Sequence, residues 1–369
     1  MPTKPDKSTK LNLPEGVPPL TTFYMYITGG CNLACKHCWI SPTFEQNGST
    51  GECLDFDLYK LAIEQALPLG LNGIKYTGGE PLLHPDFVKM VDFATKKKLK
   101  TWLETNGTLM TKELAHHLKE KTSMHHISVS IDGATPSTHD HFRNVKGSFN
   151  SALIGIKHLA AAGYKPQIIM SLFPENIDEI EPLVKITKES GCGSIKFNII
   201  QSSGRGEKMK KKDGEITIEQ LINIGKWIET ELQSKYEIPL MFSWPMAFQS
   251  IKRLGSGLIG NCHIFNVLGI LSTGKMAMCG IGTQEKDLIY GNLGINKISE
   301  IWTENPGLKS LRKNIPDKLE GICHKCLFKN SCIGACVAHN YHAEKKLTAP
   351  FWFCEQALKN KLFPVTRML

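Results

Sequence analysis

The sequence lacks the features that would place a protein in or across a membrane. In 369 residues no run approaches the roughly 18 apolar residues that a spanning helix needs. The N-terminus, MPTKPDKSTKLNLPEG, has lysines with no apolar stretch behind them, which excludes a secretory signal peptide. We therefore expect a cytoplasmic protein with no membrane partner.

The usual marks of a nucleic-acid-binding protein are missing as well. No arginine-aromatic interleaving and no zinc-finger helix is present, so nucleic acid is not an expected partner. Repeats and low-complexity segments are absent, and 41% of the residues are hydrophobic, which suits a sizeable core. The net charge of +9 has two interpretations, a surface that steers acidic partners or one that merely keeps the chain dissolved.

Cysteine is abundant, with twelve residues in the chain. Because a cytosol keeps thiols reduced, metal binding explains them better than disulfides do. Seven lie between 262 and 354, where helical periodicity fades. Short loop-rich segments bury little apolar surface, so metal should help to hold that region together. We predict a tail over 1–20, a core domain over 21–240, and a bridging and cysteine-rich domain over 241–369.

Short β-rich runs alternate with helical stretches from residue 23 onward. Strands are predicted at Phe23–Thr28, Gly73–Thr77, Lys100–Thr105, His126–Ile131, Gln167–Phe173 and Ser194–Ile200. Helices are predicted near 56–69, 85–97, 111–120, 148–162, 176–190 and 217–235, with Thr111 as a cap. Six β-then-α units predict a parallel α/β sheet, either doubly wound or an incomplete barrel.

Glycines and polar residues follow the predicted strands directly. Gly29-Gly30-Cys31 ends the first strand, Gly78-Gly79-Glu80-Pro81 the second, Asn106-Gly107 the third and Asp132-Gly133 the fourth. Ligands bind at the carboxyl ends of strands in barrels and open α/β sheets alike. One site built from the strand ends is the economical interpretation.

Cys31, Cys35 and Cys38 supply three thiolates from one short loop. Thiolates suit iron–sulfur clusters and zinc. Three ligands leave one metal position open, whereas a structural zinc site is normally closed by a fourth, for which His37 is the only local candidate.

This spacing resembles the signature of the radical S-adenosylmethionine (SAM) superfamily, in which a [4Fe-4S] cluster cleaves SAM reductively. The resemblance implies a partial (β/α)6 TIM-type barrel. No catalytic residue is assigned beyond the cluster and SAM. The positions that the resemblance implies for SAM binding are Trp39, Thr77, Gly78, Gly79, Glu80, Pro81, Asn106, Ser130 and Arg143.

The C-terminal cysteines resemble the SPASM extension of that superfamily. The pattern is Cys262-x11-Gly274-x4-Cys279, a gap, Cys323-x2-Cys326-x5-Cys332-x3-Cys336, a second gap and Cys354. The resemblance implies two auxiliary [4Fe-4S] clusters, one on Cys323, Cys326, Cys332 and Cys354 and the other on Cys262, Cys279 and Cys336. A zinc ribbon is the alternative, although seven cysteines are awkward for two zinc sites.

Three cysteines leave the second auxiliary cluster one ligand short. The stretch 254–261 upstream offers no cysteine, so either His263 or another group closes it, or it stays open for a substrate atom. Cys53 and Cys192 fit no motif and are expected to be buried thiols.

Most SPASM enzymes modify peptides or proteins, so the resemblance implies a maturase of a ribosomally made precursor peptide. Hydrogen abstraction would lead to a thioether or carbon–carbon crosslink, or to epimerisation. Sulfatase maturation is disfavoured, because that branch carries an aspartate where this chain has Gly280. An enzyme acting on a small molecule or nucleic acid, and a non-enzymatic metal-stabilised protein, remain alternatives.

Two kinds of protein partner are implied. A flavodoxin or ferredoxin would supply electrons. Only about twenty residues precede the first strand, so a separate leader-recognition protein, or direct leader binding, is expected. The basic segment Arg205 to Lys212 has two interpretations, a loop that attracts an acidic partner or a solvated loop.

Overall fold

A ten-stranded sheet forms the centre of the protein. The computed structural model describes residues 11–44, 51–256 and 262–369. The strands are β1 (Thr22–Thr28), β2 (Gly30–Cys31), β3 (Thr43–Phe44), β4 (Gly73–Gly78), β5 (Lys100–Thr105), β6 (Met124–Ser130), β7 (Gln167–Leu172), β8 (Ser194–Ile199), β9 (Leu240–Phe242), β10 (Val267–Ile270), β11 (Lys275–Ala277) and β12 (Ile289–Asn292). The sheet order is β12-β11-β10-β1-β4-β5-β6-β7-β8-β9, and β2 pairs with β3 separately.

Six parallel strands, β1 and β4 to β8, follow one another in the sheet in chain order. A doubly wound sheet would reverse this order at a switch point, and these six do not. Since parallel crossovers are right-handed, such an order puts their helices on one face of the sheet. The two predicted alternatives are thereby resolved in favour of the incomplete barrel.

The helices that follow the strands bury apolar faces at helical spacing, as in α2 with Met90, Val91 and Ala94. The helices of the described residues are α1 (Phe56–Ala66), α2 (Phe87–Lys96), α3 (Lys112–Lys121), α4 (Pro136–Arg143), α5 (Ser148–Ala161), α6 (Ile180–Glu189), α7 (Gly204–Asp213), α8 (Ile218–Trp227), α9 (Gln233–Lys235), α10 (Ile251–Gly255), α11 (Ile298–Glu304), α12 (Pro306–Asn314), α13 (Gly321–His324), α14 (Lys329–Cys332), α15 (Val337–Glu344) and α16 (Trp352–Lys359). The predicted cap is confirmed, because the Thr111 hydroxyl accepts from the Leu114 N–H at 3.1 Å. None of the described helices is long and apolar enough to cross a membrane.

The strands alternate between core and barrel interior. In β8, Ile195 and Phe197 are fully buried in the core, whereas Lys196 and Asn198 face a cavity inside the barrel. Side chains at alternate strand positions therefore decide what that cavity offers to a ligand.

The structure adds to the predicted elements and corrects one of them. All six predicted barrel strands are present, with ends shifted by at most two residues. The segment Arg205 to Lys212, expected to be a loop, lies within helix α7. The sheet also continues past residue 240, because β10 pairs in parallel with β1. The first ten residues of the predicted tail, and residues 257–261 before Cys262, lie outside the described part of the chain.

Candidate active site

Cys31, Cys35 and Cys38 follow β1 at the carboxyl-terminal edge of the sheet, and all three line one cavity. Cys31 and Cys35 are buried, and burial raises the pKa of both thiols. The Leu33 N–H points at the Cys31 sulfur at 3.4 Å. Such buried thiols stay protonated unless a metal stabilises the thiolate, so the donor set fits an iron–sulfur cluster.

Arg143 lies directly against this loop. Its Nη1 is 3.5 Å from the Cys35 sulfur, and its Nη2 pairs with Asp132 at 2.6 Å. The side chain lines the cavity, and its buried Nε has no partner among the described residues. Arg143 therefore places positive charge beside the cysteines and keeps one donor open, as contact with an anionic ligand group would require.

Arg205, at the start of α7, holds the same loop from its other side. Its Nε donates to the Cys35 carbonyl at 2.8 Å and its Nη1 to the Pro42 carbonyl at 3.2 Å. Its backbone N–H bonds to the Cys38 carbonyl and the Ser41 hydroxyl. The Arg205 side chain thus points inward, whereas both interpretations of the basic segment, a solvated loop or a loop that attracts an acidic partner, placed it at the surface.

The Gly78-Gly79-Glu80-Pro81 turn packs its backbone against the start of the cysteine loop. The Gly79 and Glu80 N–H groups donate to the carbonyls of Thr28 and Gly30, both at 3.0 Å. A Cβ on Gly79 would overlap the Gly30 carbonyl, so only glycine permits this approach. Glu80 lines the cavity, whereas Pro81 is buried beneath it and begins a 3₁₀ turn.

Glu80 ties neighbouring strand ends together. Its carboxylate accepts from the Thr105 hydroxyl at 2.6 Å, the Asn106 N–H at 2.8 Å and the Leu82 N–H at 3.1 Å. The Asn106 side chain donates to Asn32, in the cysteine loop, at 2.8 Å. These contacts fix the rim of the cavity before any ligand arrives.

One cavity of about 510 Å³ joins these groups, within the size range of small-molecule sites. Of the nine positions predicted to bind SAM, eight line it, all except Pro81. Trp39 is at the rim, edge-on to Tyr26 with ring centroids 6.3 Å apart. The structure therefore brings the predicted SAM positions and the first three cysteines together.

Cys262, Cys279 and Cys336 line the same cavity. Burial raises the pKa of Cys262 and of Cys279, and the nearby Cys336 raises both further. Gly280 follows Cys279, and a Cβ there would overlap the Tyr26 ring. Tyr26 therefore fills the space that the aspartate of the sulfatase-maturing branch would need.

Cys323, Cys326, Cys332 and Cys354 surround a second, smaller pocket with largely apolar walls, including Phe328, Phe351 and Phe363. After burial, the mutual influence of the four thiols raises the pKa of Cys354. The two predicted auxiliary sets thus occupy two separate places.

The zinc alternatives find little support in this geometry. Within the described residues, no three His, Cys, Asp or Glu side chains are grouped closely enough to hold a single metal ion. His37 is stacked on Phe142, with centroids 4.3 Å apart. His263, the candidate fourth ligand of the second auxiliary cluster, is exposed and does not line the cavity.

Sequence reasoning missed the charged residues on the barrel interior. Lys75 pairs with Glu104 at 2.5 Å and lies over the Tyr24 ring at 4.9 Å, and Lys196 lines the cavity nearby. The available signal was a lysine inside an otherwise apolar strand segment, as in Gly-Ile-Lys75-Tyr and Ser-Ile-Lys196-Phe. Cys53 and Cys192 are not in disulfides and do not line the cavity. Cys192 is buried in the core as expected, whereas Cys53 is only half-buried.

Comparison with known proteins identifies the family. Residues 25–186 match the radical SAM superfamily model, and residues 262–327 match the SPASM iron–sulfur cluster-binding domain. An AdoMet-dependent heme synthase of Methanosarcina barkeri is 30% identical over 333 residues, 86% of this chain and 91% of that protein. The chain therefore belongs to the radical SAM enzymes that carry a SPASM domain.

A maturase and a solved structure with a bound peptide are also similar to this chain. The mycofactocin maturase MftC of Mycobacterium tuberculosis is 26% identical over 333 residues, 89% of this chain and 81% of that protein. The structure of Streptococcus suis SuiB bound to its precursor peptide SuiA superposes with a TM-score of 0.71 at 17% identity, over 92% of this chain and 76% of that one. At that identity the likeness shows a shared fold.

Proposed function

We propose that this radical SAM/SPASM enzyme is a peptide maturase, which removes a hydrogen atom from a ribosomally made peptide to give a crosslink or an epimer. The observation that carries the proposal is a single cavity lined by both Cys31, Cys35 and Cys38 and the auxiliary set around Cys279. A substrate carbon in that cavity would lie between a site for SAM and a site for electron transfer. The similarity to the maturase MftC supports a maturation function.

We assign the cysteines to three [4Fe-4S] clusters. Cys31, Cys35 and Cys38 would hold the cluster that binds SAM, and residues 21–240 would form the core domain around it. In the domain over 241–369, Cys323, Cys326, Cys332 and Cys354 would hold one auxiliary cluster, and Cys262, Cys279 and Cys336 the other. The grouping of the thiols around two cavities supports this division.

When bound, SAM and the clusters would supply hydrogen-atom abstraction and a sink for a second electron. The residues of this chain would bind and orient SAM and shield the reaction from water and oxygen. The backbone of Gly78 and Gly79, with Ser130 and Trp39, would cradle SAM, and the open donor of Arg143 would face its anionic part. Exclusion of water and oxygen would fall to the barrel walls.

The similarity to an AdoMet-dependent heme synthase favours a second candidate, an enzyme acting on an iron porphyrin. This relative is more similar in sequence than MftC, at 30% against 26% identity. The basic side chains inside the barrel also suit the carboxylates that porphyrins carry. Both candidates would use hydrogen-atom abstraction through SAM, and they differ in substrate and in product.

Iron and sulfide analysis of anaerobically purified protein tests the clusters. We expect about twelve irons per chain, and about four fewer in a Cys31→Ala/Cys35→Ala/Cys38→Ala variant. A Cys53→Ala variant is the matched control and should keep all its iron. Stoichiometric zinc with little iron, after strictly anaerobic reconstitution, would overturn the assignment.

The substrate is tested by measuring 5′-deoxyadenosine formed from SAM by the reduced holoenzyme. Peptides encoded by short reading frames beside the gene are compared with iron coproporphyrin III. Stimulation and a mass change with one peptide support the maturase. If only the porphyrin stimulates 5′-deoxyadenosine formation, and its Soret band shifts, the maturase is rejected in favour of the second candidate.

A further inference from the structure

Four basic side chains with long stems line the main cavity, namely Lys75, Arg143, Lys196 and Arg205. Three of them have partners: Lys75 pairs with Glu104, Arg143 with Asp132, and Arg205 with main-chain carbonyls. Lys196 alone makes no hydrogen bond or ion pair with any residue in the described ranges.

The strand geometry fixes where Lys196 points. It is opposite Ile169 of β7, which also lines the cavity, while its neighbours Ile195 and Phe197 are turned into the core. Asn198, two residues further on, faces the same cavity. The Lys196 side chain is therefore directed into the cavity that both cysteine sites line.

The charges around Lys196 do not balance the positive charge of its ammonium. Desolvation, and then repulsion by Lys75, lower its pKa, with Glu104 opposing. Glu104 is already paired with Lys75, so the group of three keeps one excess positive charge. An isolated ammonium in such a place is unfavourable unless an anion joins it.

Balancing the charge of an auxiliary cluster is the competing explanation. Lys75 fits that role better, because the thiol of Cys262 is among the groups that raise its pKa. No cysteine is among the groups that shift Lys196. The partner missing from Lys196 is therefore better sought in the substrate.

We propose that Lys196 binds a carboxylate of the substrate, so that the enzyme acts on a carboxylate-bearing molecule held between SAM and the Cys262/Cys279/Cys336 site. This inference rests on one part of the proposed function, namely that the substrate binds in the main cavity. In a peptide the group is an acidic side chain or a C-terminal carboxylate, either of which forms a charge-assisted hydrogen bond with the ammonium.

The first test is binding of glutarate and of its neutral analogue glutaramide to the anaerobic holoenzyme with saturating SAM, followed by calorimetry or ligand-observed NMR. Wild type should bind glutarate at least tenfold more tightly, which is about 1.4 kcal/mol. Lys196→Met should abolish that preference, Lys196→Arg should keep most of it, and the exposed Lys188→Met should leave it unchanged. Iron content and circular dichroism check that each variant is folded.

Three peptides then separate the sources of the carboxylate. Acetyl-Gly-Glu-Gly-amide carries it on a side chain, acetyl-Gly-Gln-Gly at the C-terminus, and acetyl-Gly-Gln-Gly-amide not at all. The form that binds through Lys196 identifies the source. If glutarate binding depends on Lys196 but none of the peptides binds, the subsite stands and the peptide substrate is rejected.

Two results would overturn the subsite. One is wild type that binds glutarate no better than glutaramide. The other is a Lys196→Met variant that keeps the preference for glutarate. If that variant also shifts the electron paramagnetic resonance spectrum or midpoint potential of an auxiliary cluster, Lys196 is a partner of the cluster.

Discussion

Replacing Arg205 by methionine should loosen the loop of Cys31, Cys35 and Cys38 without unfolding the protein. The change removes the bonds from Nε to the Cys35 carbonyl at 2.8 Å and from Nη1 to the Pro42 carbonyl at 3.2 Å. Methionine keeps much of the packing of the stem. Two bonds from a charged donor, one of them long, contribute about 2–4 kcal/mol. The loop should therefore open roughly 30 to 700 times more often.

The assay is release of iron from anaerobic holoprotein to a ferrous chelator. In Arg205→Met, about four of about twelve irons should leave at least roughly tenfold faster, while the rest leave at the wild-type rate. Lys208→Met, an exposed change on the same helix, is the control and should match wild type. Unchanged release, or equal acceleration of all the irons, would refute the role given to Arg205.

Three further changes test the packing beside the cavity, a buried hydrogen bond in the core and an ion pair elsewhere in the fold. Gly280→Ala should cost about 1–3 kcal/mol because its Cβ overlaps the Tyr26 ring, and Tyr26→Ala in the same chain should relieve most of that cost, as thermal unfolding of single and double variants will show. Tyr59→Phe removes a buried hydroxyl that donates to a main-chain carbonyl of α2 at 2.7 Å, so the free energy of unfolding in urea should fall by about 1 kcal/mol, with an unchanged m-value. Burial opposes ionisation of Glu285, yet the hydrogen bonds from its neighbours, Lys345 first, hold its pKa below the usual value. Wild type should therefore have a higher free energy of unfolding than Glu285→Gln above pH ~4.3, and this difference should shrink as the pH falls further. A difference that is the same at pH 7 and pH 3.5 would contradict the pairing.

The barrel strands could be predicted from the sequence because apolar runs and turn residues alternate at a regular spacing. The glycines at the strand ends also predicted where the cavity would lie. Arg205 could not be placed, because a run of basic residues reads as solvated until the fold shows that α7 begins against the cysteine loop. Lys196 was missed for a different reason. Whether a strand lysine reaches solvent or a closed cavity depends on neighbouring strands far away in the chain.

The packing around Gly280 bears on which chemistry the cavity supports. Only two carboxylates line it among the described residues, and both are engaged: Glu80 accepts three hydrogen bonds, and Glu104 pairs with Lys75. Because Tyr26 fills the space beyond Gly280, an aspartate introduced there would clash before it could accept a proton from a substrate. A single Gly280→Asp change should therefore not confer sulfatase-maturing activity. The double change with Tyr26→Ala is the smallest that restores both the room and the base, and measurement of formylglycine formed on a sulfatase peptide by each variant would test this reasoning.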